Sequence, residues 1–305
     1  MRNVVRTIAF SLGLAVLAWL AWSARDGLAA LPGHFDAAWF AIAVLLGVLF
    51  TVAQGNLYSD LMRKNGVDAP PGRLLRIFLF SQPGKYLPGR IWAPAMQVAE
   101  LGRRDTVGPT FVANAELVAL AAGQSLGLGI ALSLRAWPWL ALLVAAATVA
   151  GSIVVIRQRW IAAIIDRLRV RFAWLPTLTH EQGSPVPATS RALVLATVVL
   201  ALNLIASASV VMTLTQPAVG DLVALLGAIY LGWTAGYFAL PVPAGLGVRE
   251  ASTVALAHWL APATPFEIVV GVTLVARLWQ LAVDVIVVLA VLAEKALRRP
   301  GNETR

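Results

Sequence analysis

The feature that most constrains this chain is a series of uncharged apolar runs, each about as long as a lipid bilayer's hydrocarbon core is thick. A helix rises about 1.5 Å per residue, so about 20 mostly apolar residues cross a core of about 30 Å. Six segments meet that length: roughly 7–23, 38–57, 107–134, 137–156, 191–215 and 265–294. Hydrocarbon offers no water to backbone N–H and C=O groups, so such segments must be helical. Composition agrees. Of 305 residues, 59% are hydrophobic and 13% charged, against about a quarter charged in a soluble domain. A soluble globular enzyme and a disordered chain are excluded. The expected class is an all-α polytopic membrane protein, with one transmembrane domain over 1–305. The first run follows Arg2 and Arg6, as in a cleavable signal peptide, but its apolar core is long for one.

Two further segments are too broken to be ordinary spans. Segment 73–104 has a Pro/Gly-rich middle, with Pro83, Gly84, Pro88 and Gly89 between its apolar arms. Segment 219–262 has an apolar arm over 219–240, a turn containing Pro241, Pro243, Gly245 and Gly247, and a short arm over 251–262. Helix breakers are tolerated at membrane depth only where protein or a water-filled cavity covers the freed backbone groups. Both segments read as re-entrant helical hairpins, making about six full transmembrane helices plus two hairpins.

Charge orients this layout. Lys and Arg number 24 and Asp and Glu 15, a net charge of +9. In a soluble protein that excess would suggest nucleic acid. Here the cations collect at Arg63, Lys64, Arg73, Arg76, Arg103, Arg104, the loop 157–190 and the C-terminal 295–305. Only Arg25 and Arg135 fall on the other side. By the positive-inside rule both termini are cytoplasmic and nucleic acid is not an expected partner. The second hairpin then enters from outside. Trp19, Trp22, Trp39, Trp137, Trp139 and Trp259 fall near the outer interface, as an aromatic belt would. The loop 157–190 opens with Trp160, Ile161, Ile164, Ile165, Leu168 and Phe172 at helical spacing between arginines, a helix suited to lie in the interface.

The order helix, helix, hairpin, helix occurs twice, over about 1–135 and 136–297, with opposite orientation. The offset is about 155–158 residues for the second helix, the hairpin and the last helix. Paired broken helices in an inverted-topology repeat are a transporter architecture, with substrate bound where the hairpin tips meet.

Ionisable groups inside a membrane cost a few kcal/mol each and normally face a partner or a cavity. The candidates are Lys85, Arg90, Glu116, Arg249, Glu250, Arg277 and Asp284. Arg277, Gln280 and Asp284 share one helix face, although Arg277 and Asp284 stand about 10 Å apart along the axis, too far to pair easily. Glu116 has no partner nearby in sequence. A buried Glu116–Arg277 pair would lock two helices together. Alternatively, these groups line a polar cavity in which arginine grips a phosphate through its planar fork. Lys85, Arg90 and Arg249 follow Pro/Gly turns, whose freed N–H groups also bind anions. Gly123 and Gly127 form a GxxxG pair suited to close helix packing. Cysteine is absent, and His34, His180 and His258 are far apart, so no metal or other cofactor is expected.

The stretches GKYLPGRIW (84–92) and PVPAGLGVREA (241–251) resemble the two recurrent motifs of the lysylphosphatidylglycerol synthase transmembrane-region family, also called flippase-like proteins. The positions carried by that resemblance are Lys85, Pro88, Gly89, Arg90, Gly245, Gly247, Arg249 and Glu250. It implies an integral inner-membrane protein tied to movement of lipids or lipid-linked sugars. Bifunctional members append a soluble aminoacyl-transferase domain, and no such domain follows here, so lysyl transfer is not expected.

The expected function is translocation of an anionic lipid, a phospholipid or a polyprenyl-phosphate-linked substrate, rather than enzymatic chemistry. Glu116 or Asp284 would carry a coupling proton. A second reading is an accessory subunit with partners in envelope lipid or polysaccharide assembly. A third is a membrane enzyme such as a lipid-dependent glycosyltransferase. Asp26 and Asp36 are its only obvious external carboxylates, and no Gly-rich nucleotide loop is present.

Overall fold

The computed structural model describes residues 35–87, 91–157, 190–239 and 245–297, plus a few isolated positions. The first apolar run, the amphipathic stretch after Arg157 and the turn residues Pro88, Gly89, Arg90, Pro241 and Pro243 lie outside the described residues. Among the described residues, all regular structure is helical. Nine α-helices follow in order: α1 Ala37–Lys64, α2 Pro71–Phe80, α3 Trp92–Leu101, α4 Val107–Ser133, α5 Pro138–Arg157, α6 Ser190–Met212, α7 Val219–Phe238, α8 Val248–Leu260 and α9 Phe266–Leu297. A 3₁₀ turn, Gln82–Tyr86, joins the α2 side to α3.

Six helices are long and apolar enough to cross a membrane: α1, α4 with its preceding turn, α5, α6, α7 and α9. Five coincide with spans expected from the sequence. The sixth, α7, is the segment read there as the long arm of a hairpin. The shorter helices have 10 residues in α2 and α3 and 13 in α8. At 1.5 Å per residue they reach only about 15–20 Å, well short of the hydrocarbon core.

Local chemistry sets several ends. Asp36 caps α1 by accepting hydrogen bonds from the N–H groups of Ala38 and Trp39, at 2.9 and 3.2 Å. Of the external carboxylate pair, Asp36 is this helix cap, and Asp26 lies outside the described residues. Pro71 opens α2, where a missing N–H costs nothing.

Packing fixes the directions. Helices α1 and α6 run antiparallel, with Asp36 N–H on Thr213 O at one end and Arg191 against Asp60 at the other. Helix α7 lies antiparallel on α4, Leu231 against Gly129 and Gly227 against Ser133. Helix α9 runs alongside α1, where Trp279 Nε1 donates to Ala43 O at 2.7 Å and Gly47 faces Trp279 and Val283. Helix α5 packs on α4 but keeps Trp137, Trp139, Leu142 and Leu143 exposed, as a lipid-facing helix does. The GxxxG pair divides its labour: a Cβ on Gly127 would stand 2.8 Å from Thr148 Cβ, whereas Gly123 meets nothing within 4 Å.

Helix α8 doubles back on α7. Gly232 and Gly236 let the two backbones approach, so a Cβ on Gly232 would stand 2.9 Å from Arg249 O. The return turn needs Gly245 (φ +66°), whose missing Cβ would stand 2.8 Å from Gly236 Cα. Replacing Gly232 with Val should therefore open this helical hairpin and cost about 1–3 kcal/mol, the usual penalty for overpacking. The check is a thermal melt of the purified protein in detergent, with Gly123→Ala as the variant expected to melt like the parent.

Candidate functional site

A cavity of about 290 Å³ opens where the last turn of α7, the first turn of α8 and the 3₁₀ turn Gln82–Tyr86 meet α9. It is also bounded by α1, α2, α3 and α4. Its volume sits at the lower edge of small-ligand pockets, about 300–1,000 Å³. One wall carries charge: Lys85 from the 3₁₀ turn, Arg249 from α8, Gln280 and Asp284 from α9. The lining also carries amides: Gln54, Gln82, Gln97 and Asn114. Phe50, Phe78, Trp233 and Trp279 supply the apolar surface between them.

Two ion pairs and one further cation organise this region: Lys85, Asp284 and Arg249 line the cavity, and Arg277 and Glu250 adjoin it. Asp284, almost fully buried, accepts from Lys85 Nζ at 2.9 Å and from the Tyr86 hydroxyl. Those bonds hold the 3₁₀ turn to α9. Arg277 Nε donates to Glu250 Oε1 at 2.5 Å, and Glu250 Oε2 accepts the Gly247 N–H at 2.7 Å. Glu250 is 1% exposed. It therefore does two jobs at once: it caps the first turn of α8 and fixes that turn to α9. Arg249 differs. Its guanidinium lies 4.3 Å from the centroid of the Trp233 ring and donates to Gln280 Oε1 at 3.2 Å. Among the described residues those hydrogen-bonding and ring partners are neutral. Trp233 in turn stacks on Trp279, centroids 6.5 Å apart. Arg249 is thus oriented by packing while keeping donors for a ligand.

Five of the sequence candidates, Lys85, Arg249, Glu250, Arg277 and Asp284, come together around α8 and α9. Gly245 and Gly247 shape the α8 entry, and Pro83 and Gly84 lie in the 3₁₀ turn; a Cβ on Gly84 would stand 2.6 Å from Ala93 N. Arg90, Pro88, Gly89, Pro241 and Pro243 lie outside the described residues. Glu116 is elsewhere. The expected Glu116–Arg277 pair does not form: Glu116, fully buried, accepts from Lys64 Nζ at 2.7 Å and Asn65 Nδ2 at 3.1 Å. Lys64 also reaches Val155 O. The physical reason is position. Lys64 ends α1 beside the first turns of α4, whereas Arg277 sits next to the cap of α8, where Glu250 is nearer. The Glu116–Lys64 contact joins α1, α4 and α5.

Several cavity residues escaped the sequence reading. Trp233 and Trp279 carried a usable signal, because they sit in mid-helix, away from the tryptophans expected at the outer interface. Gln54, Gln82, Gln97 and Asn114 carried less, since isolated amides in apolar helices often just bond a neighbouring helix. Gln97 does so here, donating to Ser81 Oγ at 2.8 Å.

Removing one member of a buried pair strands the other, at about 3–5 kcal/mol, while replacing both with apolar groups is often neutral. Glu116→Ala and Lys64→Ala should each lower the melting temperature, and the paired Lys64→Met/Glu116→Leu variant should recover most of it. Melts of the three proteins in one detergent check this; equal losses in single and double variants would contradict a paired lock. No protein-family model and no curated protein matches this chain.

Proposed function

We propose that this protein is a membrane translocator that moves a lipid with an anionic headgroup, binding the headgroup in the cavity between the α7–α8 hairpin and the α2–α3 segment. The observation that carries the reading is Arg249. It is an oriented guanidinium with neutral protein partners, lining a headgroup-sized space between helices long and apolar enough to span a bilayer. A phosphate accepts hydrogen bonds from such a fork in a planar, bidentate geometry. A cation kept in so apolar a surrounding is a functional marker by default.

In this reading α2–α3 and α7–α8 are re-entrant hairpins, and α2, α3 and α8 are too short to cross on their own. The halves 1–135 and 136–297 form the inverted repeat. Pairwise packing supports it: α1 and α6, equivalent in the two halves, lie antiparallel against each other. Helix α7 packs on α4 as α2 packs on α9. Alternating access would then rock one half against the other around the cavity. The resemblance of GKYLPGRIW and PVPAGLGVREA to the flippase-like family supports the same assignment. The basic loops set both termini on the cytoplasmic side of the cell membrane.

The test is translocation in liposomes. Purified protein should speed exposure of a fluorescent anionic phospholipid to an impermeant quencher. Arg249→Gln removes a charge-assisted hydrogen bond worth about 1.5–3 kcal/mol, so the rate should fall at least about tenfold. An Arg249→Gln protein that melts normally and still moves the lipid at the parental rate would refute the assignment. Topology is tested separately with Ala263→Cys, an exposed position just after α8 in a chain with no native cysteine. Labelling of intact cells by an impermeant maleimide is expected; labelling only after lysis would place that loop inside.

A further inference from the structure

We infer that the cavity selects a singly charged phosphodiester whose headgroup also carries hydroxyls, a polyol or a sugar, rather than a bare phosphate or an aminoalcohol. This rests on the reading that the cavity receives a lipid headgroup, and it follows from the amides that line the cavity with Arg249. There, Asn114 Nδ2 donates to Gln97 Oε1 at 2.7 Å and to Thr110 O at 2.8 Å. Gln82 Nε2 donates to Phe78 O at 3.2 Å. Each NH₂ group is committed to a carbonyl acceptor, so the amide orientations are set by their partners. Asn114 Oδ1 and Gln82 Oε1 therefore remain acceptors on a cavity wall, with no protein donor among the described residues. Gln54, on the same cavity, makes no side-chain hydrogen bond to a described residue and offers both an acceptor and a donor.

Phosphate oxygens only accept, so a bare phosphate leaves these carbonyl oxygens unmatched. A donor must come from the rest of the headgroup. An ammonium would supply one, but it would stand beside Lys85 and Arg249, with Asp284 already engaged. A hydroxyl donates without that repulsion and can also accept from the Gln54 amide. The charge count sets the other half of the selectivity. Among the described residues lining the cavity, Lys85 and Arg249 face one carboxylate, Asp284, leaving a single positive charge for the ligand to match. A phosphodiester carries one negative charge; a diphosphate carries more. A site built to hydrogen-bond a hydroxyl discriminates strongly against an analogue lacking it, because its polar groups are then left unpaired.

The test is binding of short-chain lipids to the purified protein in detergent by calorimetric titration. Dihexanoyl phosphatidylglycerol and dihexanoyl phosphatidylmethanol share one charge and differ in the hydroxyls. The glycerol lipid should bind at least about tenfold tighter, and dihexanoyl phosphatidylethanolamine should bind no better than the methanol lipid. Gln82→Met should shrink that margin without disturbing the Gln97–Asn114 bond, and Asn114→Leu should shrink it further. Equal affinities in the parent, or a margin retained in both folded variants, overturn the inference. A short-chain isoprenyl phosphohexose separates the two sources of this chemistry: tighter binding than phosphatidylglycerol assigns a sugar carrier, weaker binding a glycerolipid. The failures stay distinguishable. Selective binding without translocation refutes the translocator and leaves the site chemistry standing; translocation without hydroxyl preference does the reverse.

Discussion

The charged core depends on one constraint: a charge taken out of water between helices must meet an opposite charge in good geometry. Desolvating each ion costs several kcal/mol, recovered only when the pair is close and its remaining hydrogen bonds are met. Three pairs satisfy this here, Arg277–Glu250, Lys85–Asp284 and Lys64–Glu116. Each links two different elements, and Lys85–Asp284 spans 199 residues of sequence. Between them they hold α8 to α9, the 3₁₀ turn to α9, and α1 to α4. In an apolar bundle where side chains are as greasy as lipid, such contacts and close small-residue packing specify which helices meet.

The two pairs near the cavity also leave the site a particular electrical character. Glu250 and Asp284 neutralise Arg277 and Lys85 and hold them in place. Arg249 is held differently, by the Trp233 face and by Gln280. A site with every cation ion-paired would have little to offer an anion, and a site with none paired would be too costly to bury. Glycine makes the geometry possible. The close approach of α8 to α7 at Gly232, Gly236 and Gly245 sets Arg249 and Glu250 side by side, one toward the cavity and one toward Arg277.

The amide wall gives the cavity its second character. Asn114 and Gln82 spend their N–H groups on protein carbonyls and keep their carbonyl oxygens. Gln97, between Ser81 and Asn114, braces this wall from behind. One cavity thus presents both a cation and amide acceptors.

Much of the architecture was legible in the sequence, because the bilayer imposes a length on apolar runs that needs no tertiary information. Five expected spans reappear as α1, α4, α5, α6 and α9, and the breaks around 81–91 and 239–247 fall at the Pro/Gly clusters. The expense of intramembrane charge singled out Lys85, Arg249, Glu250, Arg277 and Asp284 as a set. Pairing was another matter. The sequence offers Arg277 as one possible partner for Glu116, which has none nearby, yet Lys64, at the basic end of α1, is the residue that reaches it. Which partner a buried charge finds depends on helix rotation and depth, and a one-dimensional pattern contains neither. The same limit hid the amide wall. A lone glutamine or asparagine in an apolar helix has no signature until the fold brings Gln54, Gln82, Gln97 and Asn114 to one surface. The sequence alone determined that the chain spans a membrane, where its helices break and which charges are costly. Tertiary packing decided which of those charges pair across helices and set Arg249 against Trp233 and Gln280 at the cavity, because helix rotation and depth fix which side chains meet.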